Sequence, residues 1–199
     1  MPSRTSAGTL KKDLLLKQGI DLMYVRGYNG TSIKDIVDAA GIPKGSFYFY
    51  FDSKEDFAIE ALNAYLQETN LELQAVLNSE HKTDKQRLLD FFDLRIRHNI
   101  EQMHCSRGCF IANMASEMAS SNEALRKKVH SLFESSVDQI AKIIRNGQQN
   151  GSLKTKTDSK KLASAIEDAW KGALVTMKSC RCEAPLDNFR NIILKQLLV

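Results

Sequence analysis

The sequence predicts an all-α protein of about nine helices. Prolines stand only at positions 2, 43 and 185 of the 199 residues, so long stretches lack the residue that most firmly ends a helix. Within these stretches, apolar residues recur every three or four positions, which is the spacing of one buried helix face. Serine, threonine and aspartate stand at the starts of several stretches, where their side chains cap helices. No segment indicates a β-strand.

The first predicted helix has one apolar face and a glycine at its end. The face is formed by Leu15, Leu16, Gly19, Leu22 and Met23. Gly27 follows, and glycine is favoured after a helix because it adopts left-handed backbone angles without a steric cost. We therefore expect the helix to end at Gly27.

Two short helices separated by a tight turn are predicted next. Ser32 and Asp35 form a capping box at the start of the second helix, and Gly41 ends this helix after about two turns. Its apolar stripe is Ile33, Ile36, Val37 and Ala40. Pro43 is expected at the first position of the third helix, where a missing N–H is no loss. Two short helices joined by a glycine turn are typical of a helix-turn-helix. We predict such a domain over residues 1–52.

Residues 53–199 are predicted to form a second helical domain. Its helices are expected to begin at Ser53, Thr83, Cys109, Ser120, Asp158 and Pro185. The helix from Ser53 to Leu77 would be about 37 Å long, because an α-helix rises about 1.5 Å per residue. Such a helix is long enough to connect two domains. Gly147 and Gly151 are expected to mark the end of the helix that Ser120 opens.

The third helix carries an unusual run of five aromatic residues, from Phe47 to Phe51. Phe47 and Phe51 are four positions apart and can pack inward on one helix face. The side left to a partner carries Lys44, Gly45, Ser46, Tyr48 and Tyr50. Lysine supplies charge to phosphates, hydroxyls donate to phosphate oxygens, and glycine permits close backbone approach. This combination favours DNA as the partner.

Three more polar residues stand at predicted helix N-termini. Thr31, Ser32 and Lys54 lie where unpaired N–H groups and the helix dipole favour an anion such as a backbone phosphate. The alternative is that Thr31, Ser32 and Ser53 only cap their helices. The predicted DNA-binding set is Thr31, Ser32, Lys44, Gly45, Ser46, Tyr48, Phe49, Tyr50 and Lys54.

The stretch from about Leu10 to Phe57 resembles the DNA-binding domain of the tetracycline-repressor (TetR) family. The matching motifs are Gly27-Tyr28, Thr31-Ser32-Ile33, Ile36, Ala40-Gly41-Ile42, Lys44-Gly45-Ser46-Phe47-Tyr48 and Phe51-x-Ser53-Lys54-Glu55. Gly19 departs from the alanine usual in the family, and Pro43 and Phe49 occupy positions that are often polar. The resemblance implies a homodimeric transcriptional regulator whose third helices enter the major groove of a palindromic operator. It also implies repression that a ligand relieves, and a C-terminal domain for ligand binding and dimerisation.

The last two helices are the expected dimer surface. Their small residues are Ala163, Ala165, Ala169, Gly172 and Ala173. Their large apolar residues, which spread round more than one face, are Trp170, Leu174, Phe189, Ile192, Ile193, Leu197 and Leu198. A helix that is apolar on more than one face needs more than its own subunit to cover it. The alternative is burial within one monomer.

A second group of residues is predicted to sense a signal. Cys109 follows Arg107 and Gly108 at the start of a helix, and a nearby guanidinium and a helix N-terminus both increase thiol reactivity. The segment from Gly108 to Glu117 is similar to that of family members that sense electrophiles or oxidants through cysteine. Cys109 as a small core residue is the alternative. A ligand cavity could be lined by Met103, Phe110, Asn113 and Trp170, although such residues also form ordinary cores.

Several classes of function are not indicated. The sequence lacks a phosphate-binding glycine loop, a His-Glu-x-x-His pair and a nucleophile elbow, so we expect no enzyme and no cofactor. The spacing of the histidines and of the four cysteines matches no standard zinc pattern, so no metal is expected. Charged residues interrupt every apolar stretch. We expect a cytoplasmic protein with reduced cysteines and no membrane partner. A DNA-binding protein without ligand response, architectural or constitutive, is the competing function.

Overall fold

The computed structural model describes the backbone of residues 4–199 and the side chains of residues 9–67 and 71–199. All regular structure in this part of the chain is helical, which confirms the all-α prediction. The helices are α1 Arg4–Arg26, α2 Ile33–Ala40, α3 Lys44–Tyr50, α4 Lys54–Leu77, α5 Asp84–Arg97, α6 Phe110–Met118, α7 Glu123–Asn150, α8 Ser159–Cys180, α9 Ala184–Asn188 and α10 Lys195–Leu197. π-Helical turns over His98–Gln102 extend α5, and those over Phe189–Leu194 join α9 to α10.

The chain divides into two compact units. The first contains Met1–Glu68 and Phe110–Val129, and the second contains Thr69–Cys109 and His130–Val199. Each unit therefore combines two separate segments of the chain, and α6 and the start of α7 belong to the first unit. The functional boundary between residues 52 and 53 stays a prediction.

Side-chain capping starts α2 in the first unit, whereas α3 begins after Pro43 without a side-chain cap. Ser32 accepts the Asp35 N–H through its hydroxyl at 3.1 Å, and Asp35 accepts the Ser32 N–H at 2.8 Å, so the predicted capping box is confirmed. Gly41 ends α2 with left-handed angles, as predicted. The predicted start of α3 was one residue early. Pro43 precedes the helix with an extended ψ of 140°, and Lys44 is the first helical residue.

The core of the first unit contains a cluster of three phenylalanines. Phe47, Phe51 and Phe57 have ring centroids 4.9–5.4 Å apart, and each ring is buried. Gly19 on α1 makes room for this cluster, because a Cβ atom at Gly19 would lie 2.2 Å from Phe57 Cζ. The departure from alanine at position 19 therefore has a packing reason.

The core of the second unit combines aromatic rings with a buried ion pair. Phe92, Trp170 and Phe189 pack with centroids 5.1–5.8 Å apart. The Arg95 guanidinium donates to the Glu167 carboxylate at 2.6 Å and lies 4.8 Å from the centre of the Trp170 ring. Burial of Glu167 disfavours its charged form, yet the charge and hydrogen bond of Arg95 hold its pKa below the ordinary value.

The predicted start of α7 needs correction, and its predicted end is confirmed at Gly151 but not at Gly147. Asn122, not Ser120, caps its start, since the Asn122 side chain accepts the Leu125 N–H at 2.8 Å and the residues before it still close α6. At the other end, α7 continues through Gly147 to Asn150, and Gly151 follows the last helical residue with a left-handed φ of 79°, as predicted. Inside the helix, Gly147 makes room for neighbouring side chains, because a Cβ there would lie 2.8 Å from Leu153 Cδ1 and 3.1 Å from Asp84 Cβ. The predicted caps Thr83 and Asp158 are confirmed.

Candidate nucleic-acid interface

Helix α3 has an inward aromatic side and an exposed side. Phe47 and Phe51 are 0% and 1% exposed, which confirms that these two rings pack inward. Tyr48 and Phe49 are 52% and 81% exposed. These two exposed rings are adjacent and lie on the same short helix as the exposed Lys44, and such a contiguous patch, unlike a single exposed ring, indicates a partner.

The other predicted contact residues of α3 also lie at its surface. Lys44 and Gly45 are exposed, and Ser46 and Tyr50 are half-buried. A Cβ atom added at Gly45 would meet no atom within 4 Å among the described residues. A phosphate group of DNA can therefore approach the main chain closely at Gly45. One seven-residue helix brings together six of the nine predicted DNA-binding residues.

The side chains at the start of α2 are engaged within the protein. Thr31 is 0% exposed, and its hydroxyl donates to the Gly27 carbonyl at 2.8 Å. Its position does not support the predicted contact of this side chain with phosphate, because the hydroxyl is needed to hold the turn. Ser32 is exposed, and its hydroxyl serves as the α2 cap.

Lys54 at the start of α4 binds the turn that follows α1. Its ammonium donates to the Tyr28 carbonyl at 2.5 Å and lies 4.1 Å from the centre of the Tyr28 ring. Partial burial lowers the pKa of Lys54, while the charges of Glu117 and Asp35 oppose that shift. Burial, with the charges of Glu55 and Glu117, raises the pKa of Tyr28. Lys54 is thus a structural contact of the helix-turn-helix as well as a predicted phosphate contact.

A residue of α6 that the sequence did not single out binds the same turn. Glu117 accepts the Tyr28 N–H through Oε2 and the Asn29 N–H through Oε1, both at 2.7 Å. The Asn29 side chain also donates to the sulfur of Met118 at 3.5 Å. No local spacing could have revealed Glu117, because its partners lie 88 and 89 residues earlier in the chain.

The five predicted sensing residues lie in two units. Phe110 and Asn113 belong to the first unit, where the buried Phe110 ring packs 5.2 Å from Tyr24. Met103, Cys109 and Trp170 belong to the second. The half-buried Cys109 is the residue just before α6. Both aromatic candidates are core residues of their units.

The cysteines do not all follow the prediction of a reduced protein. Cys180 and Cys182 form a disulfide across Arg181. Arg181 ends α8 with a φ of 55°, and this left-handed turn brings the two Cα atoms within 5.3 Å. Cys105 and Cys109 are not in disulfides, and burial raises the pKa of the Cys105 thiol. Among the described residues, no group of three or more potential ligands is arranged to hold a metal ion.

The predicted dimer helices have both a buried and an exposed apolar side. Trp170, Leu174, Phe189, Leu194 and Leu198 are buried in the second unit. Val175 on α8 is 64% exposed, and Ile192 and Ile193 after α9 are 49% and 38% exposed. A Cβ atom at Gly172 would meet no described atom within 4 Å. The second unit therefore leaves apolar surface uncovered on these elements.

Comparison with known proteins gives two family matches that together span most of the chain. Residues 15–61 match the model of the bacterial regulatory proteins of the tetR family. Residues 85–193 match the tetracyclin repressor-like C-terminal domain. The chain belongs to the TetR family. It is therefore a DNA-binding transcriptional regulator, and the helix-turn-helix comprises α2 and α3.

Relatives of this TetR-family chain are similar over nearly its whole length. The HTH-type transcriptional repressor DhaR of Mycobacterium sp. (strain GP1) is 30% identical, with 96% of this chain and 94% of that protein covered. The HTH-type transcriptional repressor NemR of Escherichia coli K12 is 25% identical, with 89% and 88% covered. These relatives are regulators of transcription.

Solved structures show the same TetR-family fold. A regulatory protein TetR from Rhodobacter sphaeroides superimposes with a TM-score of 0.87 at 26% identity, covering 96% of this chain and all of that one. The reduced form of E. coli NemR gives a TM-score of 0.86 at 25% identity, covering 95% and 97%. No helix in the described part of the chain is both long and apolar enough to cross a membrane.

Proposed function

We propose that this TetR-family regulator is a homodimeric repressor that releases a palindromic operator when an effector binds or a thiol is modified. The exposed side of α3 carries the proposal. Its two inward phenylalanines fix the helix, while Lys44, Tyr48 and Phe49 remain available to a partner. DhaR and NemR, which cover the chain almost fully, are repressors by name.

The DNA contacts are assigned to α3 and its flanks. Lys44 and the hydroxyls of Ser46, Tyr48 and Tyr50 contact phosphates, and Gly45 permits close approach. Phe49 supplies apolar contact, such as a thymine methyl group accepts in the major groove. Ser32 and Lys54 contribute at the helix starts, where the helix dipole favours an anion.

A selection experiment tests the operator contacts. The protein is used to select duplexes from a random-sequence library, and the affinity for the selected duplex is measured at several salt concentrations. We expect a palindromic duplex to be selected. Lys44→Ala should lower affinity and reduce the salt slope by about 1, as loss of one phosphate contact does. Lys142→Ala removes the same charge from an exposed position on α7 and is the matched control. Equal behaviour of the two variants would contradict the assignment.

The dimer surface is assigned to α8 and to the segment that follows α9. Exposed Val175, Ile192 and Ile193 support it, because a second copy would cover apolar surface that otherwise faces water. Light scattering tests the assignment. Val175→Asp should yield a monomer, whereas Leu71→Asp, a charge placed at another exposed apolar residue, should leave the dimer intact. If the Val175→Asp variant remained a dimer, the dimer interface would not include Val175 and the assignment would be wrong.

Cys109 is the residue we assign to thiol sensing. It is half-buried and directly precedes α6, which belongs to the unit that contains the helix-turn-helix. N-ethylmaleimide serves as the electrophile probe. It should release the selected duplex from the wild-type protein, while Cys109→Ser should keep its affinity after the same treatment. Release from Cys109→Ser as complete as from wild type would show that another group responds.

A small-molecule effector would use the second unit. The indole Nε1 of Trp170 is buried without a hydrogen-bond partner among the described residues, and so is the side-chain oxygen of Asn99. Unpaired buried polar groups are unfavourable, so a ligand that pairs with them gains binding energy. Trp170 is therefore the strongest of the predicted cavity residues, ahead of Met103, Phe110 and Asn113.

A further inference from the structure

The turn after α1 is held by one carboxylate of α6. Tyr28 and Asn29 present consecutive main-chain N–H groups, and the two oxygens of Glu117 accept one each at 2.7 Å. Two bonds to one rigid carboxylate fix its orientation as well as its distance. All these residues belong to the first unit.

Gly27 is suited to this arrangement in two ways. Its φ of 75° lies in the left-handed region, where residues with a Cβ are strained. A Cβ atom at Gly27 would also lie 2.6 Å from Glu117 Oε2, closer than such atoms approach. The glycine therefore both turns the chain and admits the carboxylate.

A main-chain carbonyl of the same turn is bound by a lysine of α4. Lys54 donates to the Tyr28 carbonyl, while Glu117 accepts the N–H groups of Tyr28 and its neighbour. The Thr31 hydroxyl adds a bond to the Gly27 carbonyl. The next residue, Ser32, is the N-cap of α2. The turn that these groups fix thus leads directly into the helix-turn-helix.

We propose that Glu117 is a positioning residue for DNA binding, through which α6 sets the placement of the segment that enters α2. Glu117 touches no DNA in this scheme. If α6 shifts further than the Glu117 side chain can follow by rotating its own bonds, both hydrogen bonds survive only when the Tyr28–Asn29 segment moves with the helix. The proposal rests on the DNA-binding function proposed above.

The matched pair Glu117→Gln and Glu123→Gln tests the proposal. Both changes remove one negative charge from the first unit, but the exposed Glu123 pairs, among the residues whose side chains are described, only with Arg126 and Lys127 on its own helix. A glutamine at 117 keeps one acceptor oxygen and directs an NH₂ group at the second N–H. Relative to Glu123→Gln, we expect Glu117→Gln to bind the selected duplex about tenfold more weakly, the factor for losing one hydrogen bond to a charged group.

Two further readouts separate positioning from a general loss of structure. Relative to Glu123→Gln, affinity for a duplex of unrelated sequence should fall less than affinity for the selected duplex, because base contacts such as that of Phe49 contribute only on the selected sequence. Amide hydrogen exchange at Tyr28 and Asn29 should become faster in Glu117→Gln, with exchange in the α8 core unchanged.

Each outcome decides one point. Equal affinity of the two variants for the selected duplex would overturn the positioning role. So would parallel loss of specific and non-specific affinity in proportion to an unfolded fraction. Failure of the wild-type protein to select any duplex would instead overturn the proposed function.

Discussion

Glu117 in the first unit and Glu167 in the second both bind segments far away in the sequence, but their partners differ in kind. Glu117 accepts two neutral main-chain N–H groups of a half-exposed turn. Glu167 is 3% exposed and pairs with the Arg95 guanidinium, which itself is only 18% exposed. The difference determines what happens to the partner groups when either carboxylate is removed. Water can replace Glu117 at the turn, whereas it cannot readily replace Glu167 beside Arg95.

The same contrast separates the roles of the two units. In the first unit, polar side chains such as Glu117 and Lys54 fix the main chain just before the DNA-reading helices. In the second, the Glu167–Arg95 pair lies among the aromatic rings of the core. We expect changes in the first unit to act mainly on DNA binding and changes in the second mainly on folding stability.

The largest expected effect is that of Glu167→Ala. Removing one partner of a buried ion pair leaves an uncompensated charge and costs about 3–5 kcal/mol in the free energy of unfolding. Urea denaturation at pH 7 measures the loss. Asp168→Ala, a neighbour on α8 whose side chain is 72% exposed, is the control and should leave the midpoint unchanged. Similar urea midpoints for Glu167→Ala and Asp168→Ala would show that the buried carboxylate contributes no more to stability than an exposed one.

The pH dependence of folding stability should show the contribution of the same ion pair. Because the pKa of folded Glu167 is below its ordinary value, the pair stabilises the fold fully above the unfolded pKa of about 4.3. That contribution is lost as the pH falls through the unfolded and then the folded value. Stability of Glu167→Gln should therefore fall less between pH 6 and pH 3 than that of the wild type. Parallel stability curves would mean that Glu167 does not carry this pH dependence.

A smaller loss is expected for Glu117→Ala. The two N–H groups lose a charged acceptor but remain within reach of water, so the cost is about 1–3 kcal/mol. Urea denaturation under the conditions used for Glu167→Ala makes the comparison direct. A loss as large as that of Glu167→Ala would show that the turn is as inaccessible to water as the second core.

The sequence predicted the parts of the fold that depend on near neighbours. The capping box of Ser32, the end of α2 at Gly41, and the inward rings of Phe47 and Phe51 are all set within four residues, so their spacing is visible in the sequence. The exposed side of α3 follows from the same spacing.

The remaining features depend on contacts that no local pattern encodes. The partners of Glu117 and Glu167 lie 89 and 72 residues away, and the aromatic packing that needs Gly19 joins α1 to α4. The burial of Thr31 is a local exception: its partner, the Gly27 carbonyl, lies only four residues earlier, but every residue has such a carbonyl, so no side-chain pattern marks this bond. Ser120 has the residue type and spacing of a cap, and so does Asn122; the main-chain bonds that close α6 extend past Ser120 and leave Asn122 as the cap.

The smallest expected effect concerns the Ser32 cap, which lies next to the turn that Glu117 holds. Ser32→Ala should cost about 1 kcal/mol, since the cap then no longer satisfies the Asp35 N–H. The Ser32 hydrogen bonds are the main cause of the lowered pKa of Asp35, so that pKa should rise in an NMR titration of Ser32→Ala. Ser32→Asn retains a capping side chain and should keep most of the stability. If alanine and asparagine lost stability equally, the turn bonds of Glu117, and not the local cap, would be what holds the start of α2.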